Sequence, residues 1–243
     1  MQVVLCKGIA KNYGDICALK GVDLCVNQGE LFGLLGVNGA GKTTLIKILC
    51  GLTKPTLGEA YIYGNSILTQ LSSVKEAVDI SPQETSVAPN LTVKENLQFF
   101  ASLYYNDKGE QSEAVKKIID TFSLEEVLPR RAKTLSGGWQ RRLSIACSLV
   151  SNPKVLFLDE PTLGLDVLAR RELWNIIQKI KSQTTIILTS HYLEEIEALC
   201  DRVAIMVKGK IIALGTCEEI KTLSGKDNFE DAFVELVTRE EQV

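Results

Sequence analysis

The spacing of hydrophobic positions changes twice along this chain. The opening third is written in short runs of β character at residues 3–9, 16–26 and 30–35. Leu31-Phe32-Gly33-Leu34-Leu35 is continuously apolar and predicts a strand buried on both faces. Directly after it, residues 43–50 take helical spacing, with Leu45, Ile46 and Leu49 on one side. A turn at 53–58 and a short strand at 60–63 follow, before Gly64-Asn65. From Leu91 to Val150 the pattern is mostly helical. Thr92-Val93-Lys94-Glu95 has the form of a capping box, which predicts where one helix starts. Asn152-Pro153 should stop the helix that carries Leu143, Ala146, Leu149 and Val150. Strand spacing returns at 154–158, 185–189 and 202–207, with a helix at 168–181 between the first two, so βαβ units and a parallel sheet are expected. Residues 87–150 thus read as a helical subdomain inserted into an α/β core, within a domain spanning 1–223. The remainder, 224–243, is a helical tail in which Phe229, Phe233, Leu236 and Val237 share a face. Asp227 and Glu230 are its candidate caps, and packing on its own chain is the expected fate of that face.

Composition narrows the partners. With 243 residues, 45% of them hydrophobic, the chain can bury a substantial core. A net charge of −3 disfavours nucleic acid as the main partner. Two short basic clusters, Arg130-Arg131-Ala132-Lys133 and Arg141-Arg142, read as solvated loop and helix faces. The seven cysteines form no Cys-x-x-Cys pair, which points to free thiols in a reducing compartment. The start, Met1-Gln2-Val3-Val4, has no signal-like run, and no stretch approaches the roughly 18 apolar residues of a spanning helix. Work at a membrane would need another chain to cross it.

Three segments carry chemistry. Gly36-Val37-Asn38-Gly39-Ala40-Gly41-Lys42-Thr43 lies between a strand and a helix, the setting in which backbone N–H groups cradle phosphate. Lys42 would reach the β- and γ-phosphates, Thr43 would hold Mg²⁺ and Thr44 adds a phosphate contact. Asp159-Glu160 ends the apolar strand Val155-Leu156-Phe157-Leu158; Asp159 suits Mg²⁺, and Glu160 is placed to accept a proton from an attacking water. Leu135-Ser136-Gly137-Gly138-Trp139-Gln140 precedes a helix and would form a second anion site from bare amides and one hydroxyl. One chain needs only one phosphate loop, so a second site implies a second chain. His191, the only histidine, follows the strand at 185–189 at the carboxyl edge of the expected sheet, where ligands bind in such folds.

This ordered set resembles the nucleotide-binding subunit of ABC transporters, over nearly the whole chain from Tyr13 to about Gly215. The resemblance implies a P-loop NTPase (RecA-like) core with a mostly parallel sheet, an N-terminal antiparallel β subdomain and an inserted helical subdomain. It implies an ATPase that uses ATP and Mg²⁺. It gives His191 a contact with the γ-phosphate and a role in orienting the water and Glu160, and makes Gln83 the glutamine that touches Mg²⁺ and water. It makes Tyr13 the ring stacked on adenine. It further implies that two such subunits, alike or different, pair head to tail, with Ser136, Gly137, Gly138 and Gln140 facing the partner's ATP and Asp166 in the loop crossing the interface. Transmembrane permease subunits would be the other partners, with this chain on the cytoplasmic face of the membrane. The segments 53–64 and 231–236 resemble the multidrug, sodium-efflux and lipid-export branch, which implies export; importer subunits and cluster-assembly ATPases are the alternatives. The interval between Lys42 and Ser136 leaves no room for the long coiled coil of repair clamps. Trp139 departs from the smaller residues common at its position.

Overall fold

The computed structural model describes residues 1–242. The chain opens with β1 (Gln2–Tyr13), β2 (Ile16–Asn27), β3 (Leu31–Leu35), α1 (Lys42–Leu49), β4 (Leu57–Ile62) and β5 (Asn65–Ser66). Then come α2 (Leu71–Ala77), β6 (Val78–Ser81), α3 (Val93–Tyr104), α4 (Lys108–Phe122) and α5 (Gly137–Leu149). The last part holds β7 (Val155–Asp159), α6 (Val167–Ile180), β8 (Thr185–Ser190), α7 (Leu193–Leu199), β9 (Arg202–Val207), β10 (Lys210–Gly215), α8 (Cys217–Ser224) and α9 (Phe229–Glu241).

Two sheets result. The smaller is antiparallel throughout, in the order β2-β1-β4-β5. The larger has six strands in the order β10-β9-β3-β8-β7-β6, parallel except for the β9–β10 hairpin. Side chains of β3 alternate between two cores, as the strand period of two requires. Leu31 and Leu35 join the core under the helices, while Phe32 and Leu34 join the core between the sheets that α1 completes. β7 does the same with Leu156 and Leu158 against Val155 and Phe157. Burial on both faces explains why these strands read as unbroken apolar runs.

The expected capping box starts α3: Glu95 N–H donates to Thr92 Oγ1 (3.1 Å), and Thr92 N–H donates to Glu95 (2.8 Å). Six elements escape the hydrophobic pattern, namely β5, α2, β6, α7, β10 and α8. β6 and β10 form the two edges of the large sheet, where half-exposed positions dilute the apolar signal. β1 also runs past Ile9 to Tyr13, through a register shift after Cys6 where Gly8 takes a positive φ of 58°. The expected tail, 224–243, holds one helix, α9, and the preceding helix α8 ends where that tail begins. α9 packs on its own chain, with Phe229, Ala232 and Leu236 buried in the helix-side core. Its cap is Asn228, whose Oδ1 accepts from Asp231 N–H (2.7 Å), in place of the expected Asp227 and Glu230.

Candidate active site: a phosphate loop and two acids at one sheet edge

β3, β7 and β8 are neighbours and parallel, so their carboxyl ends lie side by side and deliver three chemical groups to one place. β3 feeds the glycine loop. At Gly36 a Cβ would stand 2.4 Å from the Met206 carbonyl oxygen, and at Gly41, where φ is 106°, one would stand 2.8 Å from that of Ala18. Both positions therefore require glycine. The Lys42 ammonium, 6% exposed, folds back to donate to the carbonyls of Gly36 (2.6 Å) and Val37 (3.4 Å).

Glu160 follows β7 with a φ of 49°, a left-handed conformation that costs a non-glycine residue about 1–2 kcal/mol. The conformation is pinned by Thr189 of β8. Glu160 N–H donates to both the Thr189 hydroxyl (2.9 Å) and carbonyl (3.2 Å). So held, the Glu160 carboxylate meets Lys42 Nζ at 3.4 Å through one oxygen and His191 Nδ1 at 2.8 Å through the other. Asp159 Oδ1 accepts from the hydroxyls of Thr43 (3.2 Å) and Thr189 (2.6 Å).

These groups border a cavity of about 530 Å³. Its lining includes Asn38, Gly39, Ala40, Gly41, Lys42, Thr43, Thr44, Gln83, Glu160 and His191, which stand far apart in sequence. Lys20 and Lys208 add positive charge at its wall. Tyr13 does not line it; the ring is 47% exposed at the β1–β2 turn, with Lys11 Nζ 4.9 Å from its centroid, and its strand partner Ile16 lines the cavity instead.

Ser136 lies elsewhere. It caps α5, its hydroxyl accepting from Trp139 N–H at 3.5 Å, and borders a separate cavity of about 240 Å³ with Gly138, Trp139, Arg142 and Asp166. A Cβ on Gly137 would meet nothing within 4 Å. Asp166 caps α6 through Leu168 and Ala169 N–H (both 2.9 Å). Gln140 turns back to donate to the Leu135 carbonyl (3.1 Å). The Arg142 guanidinium stacks 4.4 Å from the Trp139 ring and pairs with Glu172 (2.9 Å).

A glycine loop between a buried parallel strand and a helix, with a lysine over it and two acids on the neighbouring strand, defines a P-loop nucleoside triphosphatase. More narrowly, the family profile described as ABC transporter matches residues 19–163, and the chain belongs to that family as an ATP-binding, ATP-hydrolysing cassette. It is 37% identical over 241 residues to the probable multidrug ABC transporter ATP-binding protein YbhF of Escherichia coli (strain K12), covering 97% of this chain and 42% of that protein. It is 40% identical over 242 residues to the doxorubicin resistance ATP-binding protein DrrA of Mycobacterium tuberculosis, covering 98% and 72%. The chain thus spans less than half of the first relative's length. Among solved structures, an ATP-binding subunit of an ABC transporter superimposes with a TM-score of 0.85 at 29% identity, covering 96% and 99%. The dimeric cassette MJ0796, in a post-hydrolysis state bound to ADP and Pi, does so at 0.78 and 25% identity, covering 88% and 98%.

Two residues of this region were not singled out by sequence reasoning, and one was misread. Arg141, expected on a solvated face, is 4% exposed and ringed by carbonyl oxygens. Burial lowers its pKa to about 10, against the pull of Asp159, Glu195 and Glu160. Its helical spacing to Ser144, Ile145 and Ser148, all buried, was the available signal. Thr189 sits inside an apolar strand and looks like one more β-branched core residue. Glu195, wholly buried on α7, accepts from Trp174 Nε1 (3.1 Å); burial raises its pKa, and hydrogen bonding with Ser190, Thr162 and Trp174 opposes the rise.

Proposed function

We propose that this chain hydrolyses ATP at the cleft between its glycine loop and Glu160, and uses that cycle to drive export through separate membrane-spanning subunits. The buried Lys42–Glu160–His191 cluster carries the reading. A cation and a carboxylate this far from water are costly unless paired, and here they pair across the space a terminal phosphate would fill. Phosphate bound in the loop takes over Lys42. Glu160 is then free to accept the proton of the attacking water, with His191 holding the carboxylate in orientation. Tyr13 supplies a ring for adenine at the cleft's outer end.

Thr43, Asp159 and Gln83 suit Mg²⁺, a hard cation that takes oxygen ligands and leaves most positions to phosphate and water. Thr43 and Asp159 already stand side by side, and Gln83 lines the same cavity. The ion would supply charge neutralisation across the phosphates.

The second subunit enters because Ser136, Gly137 and Gly138 form an exposed helix start with no role in the first cleft. In the pairing proposed, that start covers the partner's ATP, Gln140 supports it, and Asp166 lies at the interface. Membrane subunits would dock on α3, whose capped start follows the Gln83 loop and which exposes Phe99, Leu103 and Tyr104. No helix among the described residues is long and apolar enough to cross a membrane; in the reading proposed, the chain sits on the cytoplasmic face beside its membrane subunits. The working unit would comprise residues 1–223, with the helices of 87–150 as the docking part and 224–243 as a brace. Export is favoured by the names of the relatives, one for multidrug transport and one for doxorubicin resistance.

The test is Glu160→Gln, followed by light scattering with and without Mg-ATP. The expected result is bound ATP, arrested turnover and an ATP-dependent dimer that Ser136→Arg in the same chain prevents. Turnover at the normal rate would overturn the base assignment.

A further inference from the structure

Arg141 belongs to neither cavity, yet it touches the backbone that shapes both. It lies in the first turn and a half of α5, the helix that Ser136 caps. Its Nε donates to the carbonyl of Pro161 (2.8 Å) and its Nη2 to that of Asp159 (2.7 Å). Those two carbonyls flank Glu160, the residue held at positive φ. Its Nη1 donates to the carbonyls of Pro82 and, at 3.1 Å, Gln83. One planar, rigid fork therefore grips both sides of the acid turn and the start of the Gln83 loop. All four acceptors are neutral carbonyls, and among the described residues no carboxylate lies within ion-pair distance of the guanidinium. Core packing does not call for this. An apolar side chain of similar length would fill the space without desolvating a cation. What the arginine adds is a fixed spacing between the Gln83 loop and the acid turn, beside the tie that Ser144 of the same helix makes to Ser81 and Ser86.

We infer that Arg141 is a positioning residue: it locks the α5 helix start, the Gln83 loop and the two peptide groups around Glu160 into one unit. The guanidinium thereby sets the acid's place in the first cleft and the distance from that cleft to the Ser136 surface. The inference rests on the reading of Glu160 as the base and of Ser136 as the partner-facing site.

The experiment uses the full chain as wild type, Arg141→Met, Arg141→Lys and Glu160→Gln. Melting temperature, ATP affinity by titration and phosphate release under saturating Mg-ATP are measured for each. Arg141→Met should stay folded with a lowered melting temperature, since the carbonyls of Asp159, Pro161, Pro82 and Gln83 lose a donor. It should bind ATP within about twofold of wild type, while kcat falls on the order of 10²-fold, the cost of a small misplacement of reacting groups. Arg141→Lys, keeping the charge and losing the fork, should recover only part of that loss. A wild-type kcat in Arg141→Met overturns the inference, as does a loss of kcat matched by a loss of ATP affinity. If Arg141→Met does not fold, Arg141→Lys decides by the same split. A wild-type rate in Glu160→Gln would instead overturn the base assignment, and the Arg141 variants would still report on the Gln83 loop and the acid turn.

Discussion

The two glycine-containing helix starts of this molecule, at α1 and at α5, are opposite in character. At α1 every functional group is engaged within the chain: Lys42 with two carbonyls and Glu160, Glu160 with His191, Asp159 with Thr43 and Thr189. At α5 the hydroxyl of Ser136 does no more than cap its own helix, and the glycines face open space or Ala169. In the first region the side chains are held in place by one another before ligand arrives. The second is exposed and undercommitted, which is what a surface completed by another molecule looks like. Charges held in place by the fold act strongly on a developing charge because little has to rearrange. Exposed amides gain that strength only once a partner excludes water.

Breaking the first region should cost most. Glu160→Gln keeps the shape but turns one accepting oxygen into an N–H donor and removes the proton acceptor, so kcat should fall about 10²–10⁴-fold with ATP affinity retained, measured by phosphate release and titration. Lys42→Ala removes the loop's only cation. Hydrogen bonds to charged groups contribute about 1.5–3 kcal/mol, so ATP affinity should fall at least tenfold by isothermal titration. Unchanged affinity would move the phosphate site elsewhere. Tyr13→Ala tests the cleft's exposed end. If the ring stacks on the base, ATP and GTP binding should weaken alike by roughly 1–3 kcal/mol, as on other aromatic platforms. Equal affinity to wild type would hand the base to Ile16 and its neighbours.

The contrast sharpens with Ser136→Arg. Nucleotide binding by a single chain should be untouched within about twofold, because the site is remote, while turnover that needs a second chain is lost. A drop in single-chain ATP affinity would mean that the two regions are one site. The smallest effect belongs to the α3 cap. Thr92→Ala should lower stability by about 1 kcal/mol in thermal unfolding. The Glu95 carboxylate accepts from Thr92 N–H and from its hydroxyl, which holds its pKa below the ordinary value. A depressed folded pKa contributes stability that is complete above 4.5 and is lost as the pH falls through the lower folded value. The difference between wild type and Thr92→Ala should therefore narrow in acid.

Much of the α1 region was legible in one dimension because its parts are local. A buried strand, glycines at positions that tolerate no Cβ, and a lysine opening a helix are consecutive residues, and their backbone geometry follows from their types. The acid pair was equally legible, since two carboxylates ending an apolar strand have few uses in a core. Edge strands were less so: β6 mixes Asp79 and Ser81 with its two aliphatic residues, and both polar side chains find partners on other elements, Asp79 in Ser151 and Tyr104 and Ser81 in Ser144. Arg141 shows how a residue's type misleads when its surroundings come from elsewhere in the chain. An arginine pair on a helix ordinarily faces water, and Arg142 does reach outward to stack on Trp139 and pair with Glu172. Arg141, one residue earlier, is turned inward by the 100° step of the helix onto carbonyls at Pro82, Gln83, Asp159 and Pro161.

The sequence by itself determined the glycine loop, the two acids ending an apolar strand, the α/β class and the start of α3, all set by neighbours along the chain. Only the tertiary structure decided that Thr189 pins Glu160 at positive φ, that Lys42 and His191 share its carboxylate, that Tyr13 stands outside the cavity, and that Arg141 and Glu195 are buried. The first two depend on the order in which parallel strands lie side by side, and the others on how the second sheet and the helices pack around them. That order is settled by long-range packing of two cores, and no local periodicity records it.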